Sequence, residues 1–174
     1  MSIQLREHYI PSLSLFLALP PDWQEVQNPQ VKVMYIGGLE QGYVPSLGIE
    51  VWRMKDPTPE SYQEAAAVAS AKMQARGIST QLIELKIDGF PAKMCNYRWL
   101  DESSGLRAVQ QQLFLQINDT LFSFIFSLSE TLAEKYLPVF EDVVKSIRFL
   151  RQPLNSSWVD VVSYKNLESL GNID

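Results

Sequence analysis

Apolar and polar residues alternate along most of this chain, and short polar breaks separate the alternating segments. The alternation has a period of two residues, which is typical of β-strands with one buried face. It predicts seven strands, which span residues 13–19, 31–36, 47–54, 80–87, 92–100, 106–117 and 120–128. Turn-forming residues stop several of these strands, as Gly37-Gly38 does for the second.

Two segments have the period of an α-helix instead. We expect the first to begin near Thr58, as its N-cap, and to end at Gly77, because glycine readily adopts the left-handed conformation. The second begins near Ser129 and runs to about residue 149. Short links favour antiparallel neighbours, so the order of elements predicts an α+β fold with an antiparallel sheet covered by helices.

The length of the chain, 174 residues, suits one domain, which we place at residues 1–150. Residues 151–174 form a C-terminal tail that begins with polar residues. Its second half is too apolar for a solvated linker, owing to Trp158, Val159, Val161 and Tyr164. We therefore expect the tail to dock on the domain, and docking on another chain is the alternative.

The most apolar segment, residues 106–128, predicts a β-hairpin with a two-residue loop at Asn118-Asp119. This loop fixes the register, because residues directly opposite each other point to the same side of a sheet. One side is almost wholly apolar, with Leu113, Leu115, Phe122, Phe124 and Phe126, and must be buried. The other side is mixed and carries Gln110, Gln112, Phe114, Gln116, Leu121, Ser123, Ile125 and Ser127.

The mixed side of the hairpin has two explanations. In one, a helical layer or the tail covers it, with the glutamines at the margin. In the other, it is a docking surface, where apolar side chains supply contact area and glutamine amides bind the partner's backbone. Trp52 and either Tyr97 or Trp99 would extend that surface. The candidate protein-binding residues are Trp52, Trp99, Gln110, Gln112, Phe114, Gln116, Leu121 and Ile125.

The amino-acid composition argues against several classes of function. The net charge is −5 with no basic patch, which argues against nucleic-acid binding, and no apolar run approaches the ~20 residues of a membrane span. With one histidine, His8, and one cysteine, Cys95, neither a catalytic triad nor a nitrogen- and sulfur-rich metal site is expected. We expect Cys95 to be a buried structural thiol and Glu50 to lie at an exposed edge. The sequence thus predicts no catalytic, cofactor-binding or metal-binding residues and no enzyme.

Four short motifs give a resemblance to a known family. The segments "SLSLFLALPPDW", "PSLGIEV", "IDGFPAK" and "FEDVVKSIRF" occur in this order between residues 12 and 149. Together they resemble landmarks of the PsbP-like superfamily. That resemblance implies an α/β/α sandwich around an antiparallel sheet, and it brings no catalytic motif with it.

Known members of that superfamily include the photosystem II extrinsic subunit, a Ran-binding import factor, DcrB-like envelope proteins and chaperones of type VI secretion effectors. The resemblance therefore implies a non-enzymatic protein-binding accessory module, of the chaperone or adaptor kind, with a protein partner. We expect a cytoplasmic location. The alternatives are an extrinsic photosystem II or envelope subunit, in the thylakoid lumen or periplasm after loss of a leader, and a small-molecule carrier or small enzyme using a pocket between sheet and helix.

Overall fold

The computed structural model describes residues 3–150 and the backbone of one further strand, Asp160–Val162. The two α-helices are α1 (Ser61–Ala75) and α2 (Ala133–Ser146). The strands are β1 (Arg6–Ile10), β2 (Leu15–Leu19), β3 (Gln24–Val26), β4 (Val33–Ile36), β5 (Ser46–Met54), β6 (Ser79–Ile87), β7 (Phe90–Asp101), β8 (Leu106–Ile117), β9 (Thr120–Ser129), β10 (Arg148–Phe149) and β11 (Asp160–Val162). Short 3-10 turns at Pro11–Leu13 and Glu130–Leu132 precede β2 and α2.

A large sheet has the strand order β3-β4-β5-β9-β8-β7-β6, and all neighbours in this order are antiparallel. β11 joins the same sheet in parallel, beside residues Trp52–Met54 of β5. A second, antiparallel sheet has the order β1-β2-β10. The expected α+β fold with a central antiparallel sheet is confirmed.

Tight turns set the register of the two longest hairpins. Asn118 has a φ of 54°, and the loop it shares with Asp119 places Ile117 opposite Thr120 and Leu115 opposite Phe122. The hairpin register predicted from the sequence is therefore confirmed. Between β6 and β7, Asp88 and Gly89 both have positive φ, which matches the right-handed twist of the adjoining strands.

One face of the large sheet, face 1, carries the main core. Its side chains on β8 and β9 include Leu113, Leu115, Phe122, Phe124 and Phe126, all buried as expected. Helix α2 and the small sheet cover this face, and the Phe140 ring of α2 is tilted by 36° against the Phe126 ring, with 4.6 Å between ring centroids. Each such side chain contributes roughly 1.5–3 kcal/mol on burial.

The opposite face, face 2, lies under α1, which contacts β6, β7 and β8. Ala65 and Ala66 are fully buried in this contact, and the Cys95 thiol donates to the Ala66 carbonyl oxygen at 3.5 Å. Small side chains on the helix thus allow its backbone to approach the sheet closely. The expectation that Cys95 is a buried thiol is confirmed.

The ends of several elements differ from the sequence pattern. β2 begins at Leu15, because Ser14 is left-handed with a φ of 51° after the 3-10 turn, and β1 has no clear signal in the sequence. Helix α1 begins at Ser61 instead of just after Thr58, since the Ser61 hydroxyl accepts from the Thr58 backbone N–H at 2.8 Å. Gly77 closes α1 with a φ of 76°, as expected.

The domain boundary at residue 150 and the docking of the tail stay predictions. Most of the tail lies outside the described residues. Only the backbone of Asp160–Val162 is described there, and it pairs with β5.

Gly37 gives a first test of the packing around the main core. A Cβ atom at Gly37 would lie 2.8 Å from Nε1 of the Trp23 indole and 3.0 Å from Pro45 Cγ. Trp23 is buried against Tyr136 and Phe140, so the indole has little room to move. We expect Gly37→Ala to lower the free energy of unfolding by about 1–3 kcal/mol in chemical denaturation.

The neighbouring glycine provides the matched control for that variant. A Cβ at Gly38 would meet no atom within 4 Å, so Gly38→Ala is expected to leave stability nearly unchanged. Equal stabilities for the two variants would contradict the packing of Trp23 against Gly37.

Candidate functional site

Helix α1 divides face 2 into a covered part and an open end. Phe114, Leu121 and Trp52 lie in the covered part, in a cluster with Tyr62, Ala65 and Ala66 of the helix region. Phe114 and Leu121 are only 1% and 0% exposed. These three candidate binding residues are therefore core residues and present no open surface, because α1 occupies the space above them.

Two of the candidate glutamines have partners within the chain. Gln112 donates to the Ser123 hydroxyl at 3.0 Å and accepts from the Tyr97 hydroxyl at 3.3 Å. Gln116, on β8, lies beside the start of α1. Its Nε2 donates to the Thr58 carbonyl at 2.8 Å, and its Oε1 accepts from the Tyr62 N–H at 3.2 Å. Their amides satisfy internal polar groups, which is the role that buried polar side chains usually have.

Ile125 and Gln110 are also buried, but neither belongs to the apolar cluster under α1. Ile125 belongs to neither of the two apolar clusters of the described residues. Gln110 pairs with Tyr97 on one side and Ser127 on the other, and it lies beside the open end of face 2. Of the eight candidate residues, only Gln110 and Trp99 line that open end.

The open end of face 2 is a groove of about 600 Å³, which we call the end groove. Its floor is formed by Ala108, Gln110 and Ser127 of the sheet, and Trp99 lies beside them. The end of α1 and the residues after it supply Met73, Arg76 and Ile78. Tyr43 and the residues Leu100–Ser103, at the turn between β7 and β8, complete the lining.

Local structure holds the rim of the end groove in place. The Asp101 carboxylate accepts from the Ser103 hydroxyl at 2.7 Å and from the Ser104 hydroxyl at 2.6 Å. Gly77 ends α1 and lets the Ile78 N–H reach the Met73 carbonyl at 3.0 Å. The rim therefore consists of two defined turns, one at each side of the groove.

The electrostatics of the end groove are mixed. Hydrogen bonds from Ser104 and Ser103 lower the pKa of Asp101, so this rim carboxylate stays ionised. Burial, with Asp101 nearby as a smaller cause, raises the pKa of Tyr43 and keeps its phenol neutral. Arg76 and Glu102 are exposed and add one charge of each sign. Leu100 borders the groove, but its pairing with Arg107 places its side chain on face 1, where it is 59% exposed.

These groups can bind a ligand by apolar contact and hydrogen bonding. In residues 3–150, no group of three or more His, Cys, Asp or Glu side chains is close enough to hold a metal ion. Cys95 lies under α1, and burial raises the pKa of its thiol to about 11, so it stays protonated at neutral pH. The Nε2 atom of His8 is buried and has no hydrogen-bond partner among the described residues. His8 lies on β1 of the small sheet, away from the end groove.

Glu50 is the residue that sequence reasoning placed wrongly. β5 is an interior strand between β4 and β9, not an edge, and Glu50 is only 5% exposed. Burial raises the pKa of its carboxyl to about 8, and Oε2 has no hydrogen-bond partner among the described residues. Its position opposite Ser123 on face 2 depends on strand order, which no local pattern reveals.

A second groove, of about 500 Å³, lies between face 1 and α2. Its apolar lining comes from Leu85, Met94, Leu137, Pro138 and Val144. Gln111, Glu141 and Lys145 supply polar side chains, and Lys86 also borders the groove, although its side chain points to face 2. The sequence had left open a pocket between the sheet and a helix, and this groove has that location.

The sequence matches no protein-family model and no curated protein. Solved structures do match. Cyanobacterial PsbP (CyanoP) from Synechocystis sp. PCC 6803 has 15% identity and a TM-score of 0.59, over 86% of this chain and 95% of its own. The chain has a PsbP-like fold.

Two further structures share the PsbP-like fold. LpqN of Mycobacterium tuberculosis, described as involved in cell envelope biogenesis, has 11% identity and a TM-score of 0.64, over 83% of this chain and 89% of its own. PA94 of Pseudomonas aeruginosa, described as of unknown function, has 16% identity and a TM-score of 0.54, over 86% of this chain and 98% of its own. At such identities the likeness concerns the fold alone. In the described part of the chain, neither helix is long and apolar enough to span a membrane.

Proposed function

We propose that this PsbP-like domain is a non-enzymatic protein-binding accessory module, and that its partner binds in the end groove. The observation that carries the proposal is the composition of that groove. Three apolar side chains, Met73, Ile78 and Trp99, stand beside a floor with an amide and a hydroxyl, Gln110 and Ser127.

An extended segment of a partner protein fits these groups. Its apolar side chains would contact Trp99 and Ile78, and its backbone would form a hydrogen bond with the Gln110 amide. Rim charges of both signs favour a partner that also carries both signs. A role as chaperone or adaptor follows from this mode of binding, because such proteins hold exposed segments of other chains.

Affinity purification from the native host, followed by mass spectrometry, tests this proposal. We expect a reproducible partner with the wild-type chain and its loss with Trp99→Glu, which places a carboxylate among the apolar side chains of the end groove. Substitution of a residue at the centre of an interface typically weakens the binding by about tenfold or more. Trp99 is half-buried, so circular dichroism and thermal melting of the variant, compared with wild type, check that it folds.

Leu39→Glu is the matched control, since Leu39 is 75% exposed and does not line the end groove. It should retain the partner. Binding in the end groove would be contradicted if the wild-type chain and both variants recovered the same proteins, or if none of the three recovered any.

A small-molecule carrier is the second candidate, and the groove between face 1 and α2 favours it. Its volume of about 500 Å³ lies within the range of ligand pockets, roughly 300–1,000 Å³. A saturable thermal shift with a metabolite, abolished by Val144→Glu and retained by Trp99→Glu, would support this function and oppose the first.

We propose a cytoplasmic location, which the single free thiol suits. The alternative is an extrinsic subunit of photosystem II or of the cell envelope, and the fold likeness to CyanoP and LpqN supports that alternative. Fractionation of host cells that express the chain from its own genomic locus distinguishes the two. Recovery with thylakoids or periplasm would contradict the cytoplasmic proposal.

A further inference from the structure

Among the described strands, β6 is an outer edge of the large sheet. It has nine residues and lies last in the strand order, and among the described strands it pairs only with β7. Leu82, at its middle, is 42% exposed. Such an edge presents unpaired backbone N–H and C=O groups, which can pair with a strand from another chain.

The turn after β6 decides which backbone groups point outward. The pair Ile87 and Phe90 closes the two-residue loop Asp88-Gly89. The backbone N–H and C=O groups of Ile87 therefore point towards β7 and form hydrogen bonds with it. Backbone groups alternate along the strand. Lys86, Glu84, Leu82 and Thr80 therefore direct their N–H and C=O groups away from β7.

We propose that β6 pairs antiparallel with β6 of a second copy of this chain, about a two-fold axis at Leu85. The two large sheets then form one continuous sheet. In this register Glu84 lies opposite Lys86 of the second copy, and Lys86 lies opposite Glu84 of the second copy. On the other side, Ile83 lies opposite Ile87, and Leu85 meets its own counterpart.

Charge selects this register over its neighbours. A two-fold axis perpendicular to the sheet must lie midway between one residue and the same residue of the second copy. Any other position would place face 1 side chains opposite face 2 side chains. An axis at Glu84 would place two glutamates opposite each other, and an axis at Ile83 would place Leu82 opposite Glu84. Only the axis at Leu85 pairs opposite charges twice.

The existing ion pair on face 2 extends this pattern. Lys93 Nζ lies 2.9 Å from Glu84 Oε1 within one copy. Adding Lys86 of the second copy gives a row of alternating charge, and opposite charges directly across neighbouring strands are favourable. On face 1 the pairs Leu85–Leu85 and Ile83–Ile87 continue the apolar surface beside α2.

Charge reversal at the two paired positions tests the proposal by sedimentation velocity. Lys86→Glu alone sets two carboxylates opposite each other at both cross-strand pairs, and Glu84→Lys alone sets two ammonium groups opposite each other at both. Each single variant should raise the dissociation constant of the dimer by about tenfold or more. An equimolar mixture of the two variants should dimerise again, because each of the two cross-strand pairs in the mixed dimer joins one carboxylate and one ammonium group.

The charges of the mixed dimer follow from the register. A chain with Lys86→Glu carries acidic groups at both positions 84 and 86, and a chain with Glu84→Lys carries basic groups at both. Each cross-strand pair between the two chains therefore joins one acid and one base, and repulsion is absent. The mixed dimer should form at least as tightly as the wild-type dimer.

Circular dichroism of the two variants, compared with wild type, controls for folding. A wild-type chain that stays monomeric at high concentration would overturn the proposal. Dimers that survive both single substitutions would place the interface elsewhere, and failure of the mixture to dimerise would reject the register. None of these outcomes depends on a partner in the end groove.

Discussion

Phe114→Ala is expected to lower the free energy of unfolding by about 3–5 kcal/mol, in the range measured for large buried aromatic residues. Phe114 is 1% exposed and packs under α1 with Leu121, Tyr62 and Ala66. Removing its ring leaves a cavity between helix and sheet. The melting temperature should fall by roughly 6–20 °C, since 1 kcal/mol corresponds to about 2–4 °C in a chain of this size.

The control for this variant lies on β7, the strand paired with the Phe114 strand. Leu100 is 59% exposed, so Leu100→Ala should change the free energy of unfolding by no more than about 0.5 kcal/mol. The comparison tests the sequence hypothesis directly, because a docking residue would behave like Leu100. A Phe114→Ala variant as stable as wild type would mean that α1 does not cover this part of face 2.

Glu50→Gln is expected to stabilise the protein at alkaline pH and to change little at acidic pH. The ordinary pKa of the carboxyl is 4.5, and burial raises the pKa to about 8 in the folded chain. Between these values the folded state keeps a proton that the unfolded state has lost. Stability is therefore fully present below pH 4.5 and falls by up to about 1.4 kcal/mol per pH unit as the pH rises towards 8.

Glutamine has no proton to lose, so the variant lacks this decline. Above pH 8 we expect it to be more stable than wild type by roughly 3–5 kcal/mol, measured by urea unfolding across the pH range. Glu7→Gln is the control, because Glu7 is an exposed strand glutamate. Parallel pH profiles for wild type and Glu50→Gln would show that Glu50 ionises freely in the folded protein.

The two sides of the β8–β9 hairpin show what local pattern can predict. Alternation and the loop at Asn118-Asp119 gave the correct pairing of Leu113, Leu115, Phe122 and Phe124. All four are buried on face 1. This prediction succeeded because a two-residue loop fixes register, and register fixes which side chains share a face.

The mixed side was ambiguous for a physical reason. A sequence of glutamines and apolar residues suits either a helix-covered layer or a docking surface. Which applies depends on where α1 lies, and α1 is distant from Phe114 in the sequence. The helix covers Phe114 and Leu121 and ends at the border of the end groove, which Trp99 and Gln110 line.

By itself, then, the sequence determined the alternation of its strands, the long hairpins with their register, the closure of α1 at Gly77, and the resemblance to the PsbP-like superfamily. These depend on residues close together in the chain. Only the tertiary structure decided that β5 is interior, that Glu50 is buried, that β6 is an outer edge among the described strands and that α1 leaves a groove. Each of these depends on strand order and on the packing of distant segments, which the period of a single strand does not encode.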